Sequence, residues 1–320
     1  MTRTSWLRIA LVAWALGYGA LRVHWAAGHL PYYPPMGGDL TSLSGWPAVA
    51  MIAVAAVTGL LGGVRSVPRP VRWLVAGAGA VSATGLVFAP FLLLLDVVGL
   101  LFPGVGMPFT LAAFASRLGC LAGGLLTVAV TAALVRELRG VCPHCGRRSG
   151  AAGDGRTPRW AYAAGYLAVL GCVTRLAAQA WVGFGAGPDG YAEQHATSRV
   201  LFLVALILAG TLLPLALVHS WGRRLPRWLL LAPALFVSAG LIAYFGTGLL
   251  QLIADGGDPD AGALPQAFYW VAVPAYLLWG IGLGAAALSY RSRTRPACGS
   301  DRYVGYSRTA PDSMPAMNRR

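Results

Sequence analysis

Apolar residues along this chain come in long unbroken runs, separated by short polar stretches. Eight runs stand out, at about 7–27, 46–64, 71–96, 108–134, 160–183, 200–218, 228–253 and 267–289. Each is close to the roughly 20 residues that a helix needs to cross a hydrocarbon core of about 30 Å. In lipid every backbone N–H and C=O must find its partner within the protein, which leaves helices and closed barrels. Continuous runs of this length predict helices. Pro90, Pro214, Pro233 and Pro274 fall inside the runs, as kinks that membrane helices tolerate.

Polar positions set the expected orientation. The N-terminus, the loops 65–72, 136–159 and 219–227, and the tail from Arg291 hold 21 of the 25 basic side chains, all of them arginine. The alternate loops, 28–45, 97–107, 184–199 and 254–266, hold only Arg199, together with Asp39, Asp189, Glu193, Asp255, Asp258 and Asp260. Cytoplasmic loops carry the excess of positive charge, so both termini are expected in the cytoplasm of a multi-pass plasma-membrane protein. A cleaved signal peptide would need a stop near Ala20, but the apolar run continues past it.

Composition agrees. The 320 residues are 57% hydrophobic and 11% charged, against about 25% charged in soluble domains. The net charge of +14 lies in short patches between apolar runs. That suits anionic lipid headgroups and gives no reason to expect a nucleic-acid partner.

The chain also looks doubled. "VRWLVAGAGAVSATGL" (71–86) returns as "PRWLLLAPALFVSAGL" (226–241), with Arg72-Trp73 answered by Arg227-Trp228 and Ser82 by Ser238. Arg22, late in the first run, is answered by Arg175, late in the fifth. "GCLAG" (119–123) and "GIGLG" (280–284) each space two glycines for close helix approach. The expectation is an all-α membrane bundle of eight transmembrane helices in two parallel four-helix repeats. Residues 1–135 form the first repeat and 160–290 the second. An arginine-rich cytoplasmic linker (136–159) joins them, and a disordered basic tail (291–320) follows. With "YGALRVHWAAG" in the first run, this layout resembles uncharacterised polytopic membrane proteins of high-GC bacteria. The resemblance implies a membrane protein and no particular activity.

Candidate chemistry gathers in the outward half of the expected bundle. Trp14, Tyr18, Arg22, Trp25 and His29 follow one another at helical spacing. Arg175 and Gln179 share a face of the fifth run, Arg117 lies in the fourth, Arg199 opens the sixth, and Asp96 closes the third. Charges within a span tend to face the bundle interior or an aqueous cavity. One reading is therefore an outward arginine-lined cavity for an anionic ligand such as phosphate or carboxylate, in a transporter or lipid/anion-binding bundle. The other functional reading is an enzyme acting on an anionic lipid-linked substrate, with His29 or His195 moving protons. Two structural readings stand beside these: an interfacial belt in which Arg22 snorkels to water, and an Asp96–arginine pair that only fixes packing. No cofactor is called for. The cytoplasmic "CPHC" supplies Cys142, His144 and Cys145, with Cys298 as a further thiol. A zinc site there would lack a second ligand pair at suitable spacing, and a redox role would lack the domain that carries it.

Overall fold

The computed structural model describes residues 3–31, 40, 44–64, 66–103, 109–142, 156–183, 196–254 and 264–294. Among them all regular structure is helical. In chain order the helices are α1 (Arg3–Ala26), α2 (Trp46–Leu61), α3 (Arg69–Phe88), α4 (Leu93–Leu101), α5 (Leu111–Leu138), α6 (Arg159–Val182) and α7 (Ala196–Ile207). A π-helical segment (Leu208–Leu212) then leads into α8 (Leu213–Val218), a 3₁₀ turn (Ser220–Arg224), α9 (Arg227–Ala254) and α10 (Gln266–Arg293).

Among the described residues, seven helical stretches are long and apolar enough to cross a membrane: Thr4–Ala26, Arg69–Leu101, Leu111–Leu138, Arg159–Val182, Val200–Val218, Arg227–Ala254 and Gln266–Arg293. Their outward surface is what lipid requires. Leu16, Leu74, Leu111 and Leu250 are each about 70% exposed or more, far more apolar surface than water tolerates in one patch. The exposed tryptophans mark the two boundaries. Trp6, Trp46, Trp73, Trp160, Trp181, Trp228 and Trp270 all sit near a helix end, and Trp221 lies in the 3₁₀ turn. This is the aromatic belt of a membrane interface. The chain is a multi-pass helical membrane protein.

Three expected runs take a different form. The run 71–96 breaks at Ala89–Leu92, so that α3 and α4 share one crossing. The run 200–218 is interrupted by the π segment just before Pro214, which has no N–H to continue an α-helical ladder. The run 46–64 yields only the 16 residues of α2, about 24 Å of helix, short of a full hydrocarbon core.

Glycine contacts fix how the helices run. Gly19 of α1 faces Ile52 of α2, Gly59 faces Leu11 and Val12, and Gly63 meets Arg8. α2 therefore descends antiparallel to α1 for most of its length. α3 pairs with α5 at three levels: Arg72 with Glu137, Gly79 with Thr131, and Val87 with Gly124. In the second half, Gly171 of α6 lies against Ala275 and Trp279 of α10, and Gly282 of α10 lies against Ala164 and Ala168 of α6. α9 runs antiparallel to α10, with Arg227 donating to the Arg291 carbonyl and Ser238 to the Gly280 carbonyl. These pairings bring the described arginines to one end of the bundle, except Arg22, Arg117 and Arg175 (the side chain of Arg199 lies outside the described residues).

The two halves meet mainly through α4 and α9, with Phe91 stacked on Tyr244 and Leu94 against Gly240. Beside that contact α3 and α9 leave an apolar groove of about 750 Å³.

Candidate functional site

α1 has two faces of unlike character. One faces α5, where Gly119 and Gly123 leave room for rings. Trp14 packs flat over Gly123 and donates from Nε1 to the Gly119 carbonyl at 2.9 Å. Tyr18 stacks on Trp14 with centroids 5.4 Å apart and donates to the Ser116 carbonyl at 2.9 Å. One turn on, Arg22 is 1% exposed, with its guanidinium 5.2 Å from the Trp25 ring centre. Tyr18 and Cys120 lie within electrostatic reach of it. Arg22 is thus a buried cation among aromatic rings, a favourable placement when the ring face is desolvated.

His29 does not extend this face. α1 ends at Ala26, and beyond it His29 folds back to stack on His24 at 4.3 Å, with Nδ1 3.3 Å from the His24 carbonyl oxygen. Both rings are exposed. The reason is the chain reversal at Gly28, whose φ of +101° favours glycine.

Arg117 and Asp96 form a buried ion pair, Nη1 to Oδ1 at 2.5 Å, with side-chain exposures of 7% and 3%. It ties α5 to α4. The second carboxylate oxygen, Asp96 Oδ2, is buried with no hydrogen-bond partner. Removing one member of such a pair leaves an uncompensated charge.

Arg175, on α6, is only half-buried. Its Nε donates to the Tyr276 hydroxyl at 2.5 Å and its Nη2 to Gln179 Oε1 at 3.0 Å. Gln179 in turn donates to the Gly183 carbonyl, which the helix end leaves without an intrahelical donor. Tyr276 is held by rings on both sides, Phe245 at 3.8 Å and Trp279 at 6.0 Å. Below it Trp279 is 3% exposed, lies beside Gly210 of the π segment, and buries an Nε1–H that has no partner. π segments in helices often mark functional sites. Arg175 therefore stands, partly exposed, beside an aromatic column made by α6, α10 and the π break.

The structure thus separates the sequence candidates. Arg22 and the Arg117–Asp96 pair belong to the first half, and Arg175 with Gln179 to the second. Arg199 sits in the first turn of α7, with its side chain outside the described residues. His195, His144, Cys145 and Cys298 also lie outside them, while Cys142 is buried just beyond α5. Among the described residues no group of three or more His, Cys, Asp or Glu is placed to hold a metal. Tyr276 and Trp279 were not singled out from the sequence. They are aromatic residues in an apolar run, and only the pairing of α6 with α10 sets them beside Arg175.

No family model, no curated protein and no solved structure matches this chain.

Proposed function

We propose that this is a non-enzymatic membrane protein that binds an anionic ligand from the side opposite its termini, as a transporter or a lipid/anion-binding bundle. The observation that carries the reading is Arg175. It is a half-buried guanidinium within a span, oriented by Tyr276 and Gln179 and paired with no carboxylate among the described residues. A fork held in this way is suited to planar, bidentate recognition of phosphate or carboxylate. Arg22 and Arg117 line the corresponding end of the first half as buried cations.

In this reading α2 crosses the membrane despite its length, since it accompanies α1 from Gly19 down to Arg8. That makes eight crossings, with both termini on the arginine-rich, cytoplasmic side of the plasma membrane. The two halves are parallel repeats. α1 and α6 are each 24 residues long, and α5 and α10 are each 28. Arg72 meets α5 near its end at Glu137, and Arg227 meets α10 near its end at Arg291.

Native mass spectrometry of the full chain extracted from its own membrane tests the ligand. The wild type should retain an anionic species that Arg175→Ala loses and Arg175→Lys retains in part, because a point charge lacks the fork. Arg8→Ala, at the opposite end, should retain it fully. Equal retention by Arg175→Ala and the wild type would refute the reading.

A further inference from the structure

The crossing Val200–Val218 leaves the α-helical pattern where it meets a buried ring of α10. In the π segment the Leu213 N–H bonds the Leu208 carbonyl, five residues back rather than four. Such a segment holds one residue more than the α turn it replaces. Pro214 follows directly. Its nitrogen carries no hydrogen, so one carbonyl loses its backbone donor in either register. Counted five back, that carbonyl belongs to Ala209; counted four back, it belongs to Gly210.

Gly210 is buried, and a Cβ there would lie 3.1 Å from Trp279 Cζ2. Cζ2 is on the indole edge that carries Nε1, so that edge is turned towards Gly210. Trp279 is 3% exposed, and its Nε1–H has no partner among the described residues. A buried donor left unmade is costly, and native structures keep few of them. Gly210 offers a partner. When the ladder counts five back, the Gly210 carbonyl falls to the Leu215 N–H. When it counts four back, Leu215 serves Thr211, and the Gly210 carbonyl is left to the indole.

The helix above the segment is lightly held, as a moving element must be. Among the described side chains of α7, Leu206 alone is buried. Phe202 rests against Phe102, at the end of α4, with ring centroids 5.6 Å apart.

We propose that Leu208–Leu212 is a register switch between a π-helical and an α-helical form, latched in the α form by a hydrogen bond from Trp279 Nε1 to the Gly210 carbonyl. A change of one residue turns α7 by about 100° and moves it about 1.5 Å along its axis. Phe202 then leaves Phe102, which alters a contact between the two halves. The switch belongs to the fold and does not depend on the anion site.

The full chain in detergent, with isotope-labelled tryptophan, tests this by nuclear magnetic resonance. The indole N–H signal of Trp279 is the one missing from Trp279→Phe. In the wild type it should be divided between a free and a hydrogen-bonded position, or broadened by exchange between them. Deleting Ala209 removes the extra residue and should leave only the bonded position. A single sharp signal that the deletion leaves in place would overturn the proposal. If the deletion prevents folding, hydrogen exchange over Leu208–Leu213 decides. Trp279→Phe removes the latch, which should slow exchange there roughly two- to tenfold relative to α9. Unchanged or faster exchange would overturn the proposal as well.

Discussion

Arg22, late in α1, and Arg175, late in α6, are the same residue type, yet one is buried and the other partly exposed. The difference lies in where each half keeps its glycines. In the first half the rings are on α1 and the notches on α5, so Trp14 and Tyr18 sink into Gly119 and Gly123. The following turn of α1 is drawn in with them, and Arg22 ends 1% exposed. In the second half both helices carry notches, Gly171 on α6 and Gly282 on α10, and the rings are on α10, at Tyr276 and Trp279. Backbones rather than side chains meet there, since a Cβ at Gly171 would lie 2.5 Å from the Ala275 carbonyl oxygen. Arg175 then reaches across to a ring on the neighbouring helix and keeps part of its surface. Close packing by glycine accompanies opposite exposures of one residue type, according to whether rings or backbone fill the notch.

The halves also differ in how they treat charge, and the largest predicted effect follows from that. Asp96→Ala removes the carboxylate of a buried ion pair and should cost about 3–5 kcal/mol. The paired replacement Asp96→Leu with Arg117→Leu should cost clearly less than Asp96→Ala alone. Reversible unfolding in detergent measures both. A double variant no more stable than the single would show that the pair is not what holds α4 on α5.

Next come the notches. Gly171→Ala should destabilise by about 1–3 kcal/mol, the usual cost of overpacking, because its neighbours are backbone atoms that cannot rotate away. Gly123→Ala meets the Trp14 ring first. It should cost less in combination with Trp14→Leu than alone, whereas Gly171→Ala has no such single-residue rescue. Rescue of Gly171→Ala by shortening Trp279 would contradict the backbone-contact account.

A smaller effect is expected at the ring itself. Trp14→Phe keeps most of the packing but loses the donor to the Gly119 carbonyl, which should cost about 0.5–1.5 kcal/mol. Arg175→Ala should change stability least of all, since its side chain is partly exposed and has no buried carboxylate partner among the described residues. A loss from Arg175→Ala as large as that from Asp96→Ala would make Arg175 a structural residue like Arg117.

Much of this was legible along the chain. Runs of about 20 apolar residues leave few alternatives to crossing helices, and four arginines stood out because their side of the bundle otherwise lacks them. The spacing of Gly119 and Gly123 predicts a close helix approach, whereas the gap they leave is filled by the Trp14 and Tyr18 rings. What spacing could not supply was the partner across the interface. Tyr276 and Trp279 read as ordinary apolar positions until α6 and α10 are set side by side. The break at Leu208–Leu212 is hidden because its residues, Leu, Ala, Gly, Thr and Leu, suit an α-helix as well as a π segment. His29 misled the periodic reading, since its spacing continued a face after the helix had ended at Ala26.

The contrast between the two arginines is tested most directly by thiol labelling of intact cells, in a background with the native cysteines replaced by serine or alanine. Arg175→Cys should react with a membrane-impermeant maleimide added from outside. Arg22→Cys should stay unlabelled until the protein is denatured. Labelling of Arg22→Cys from outside at the rate of Arg175→Cys, or labelling of Arg175→Cys only after the cells are opened, would contradict the account.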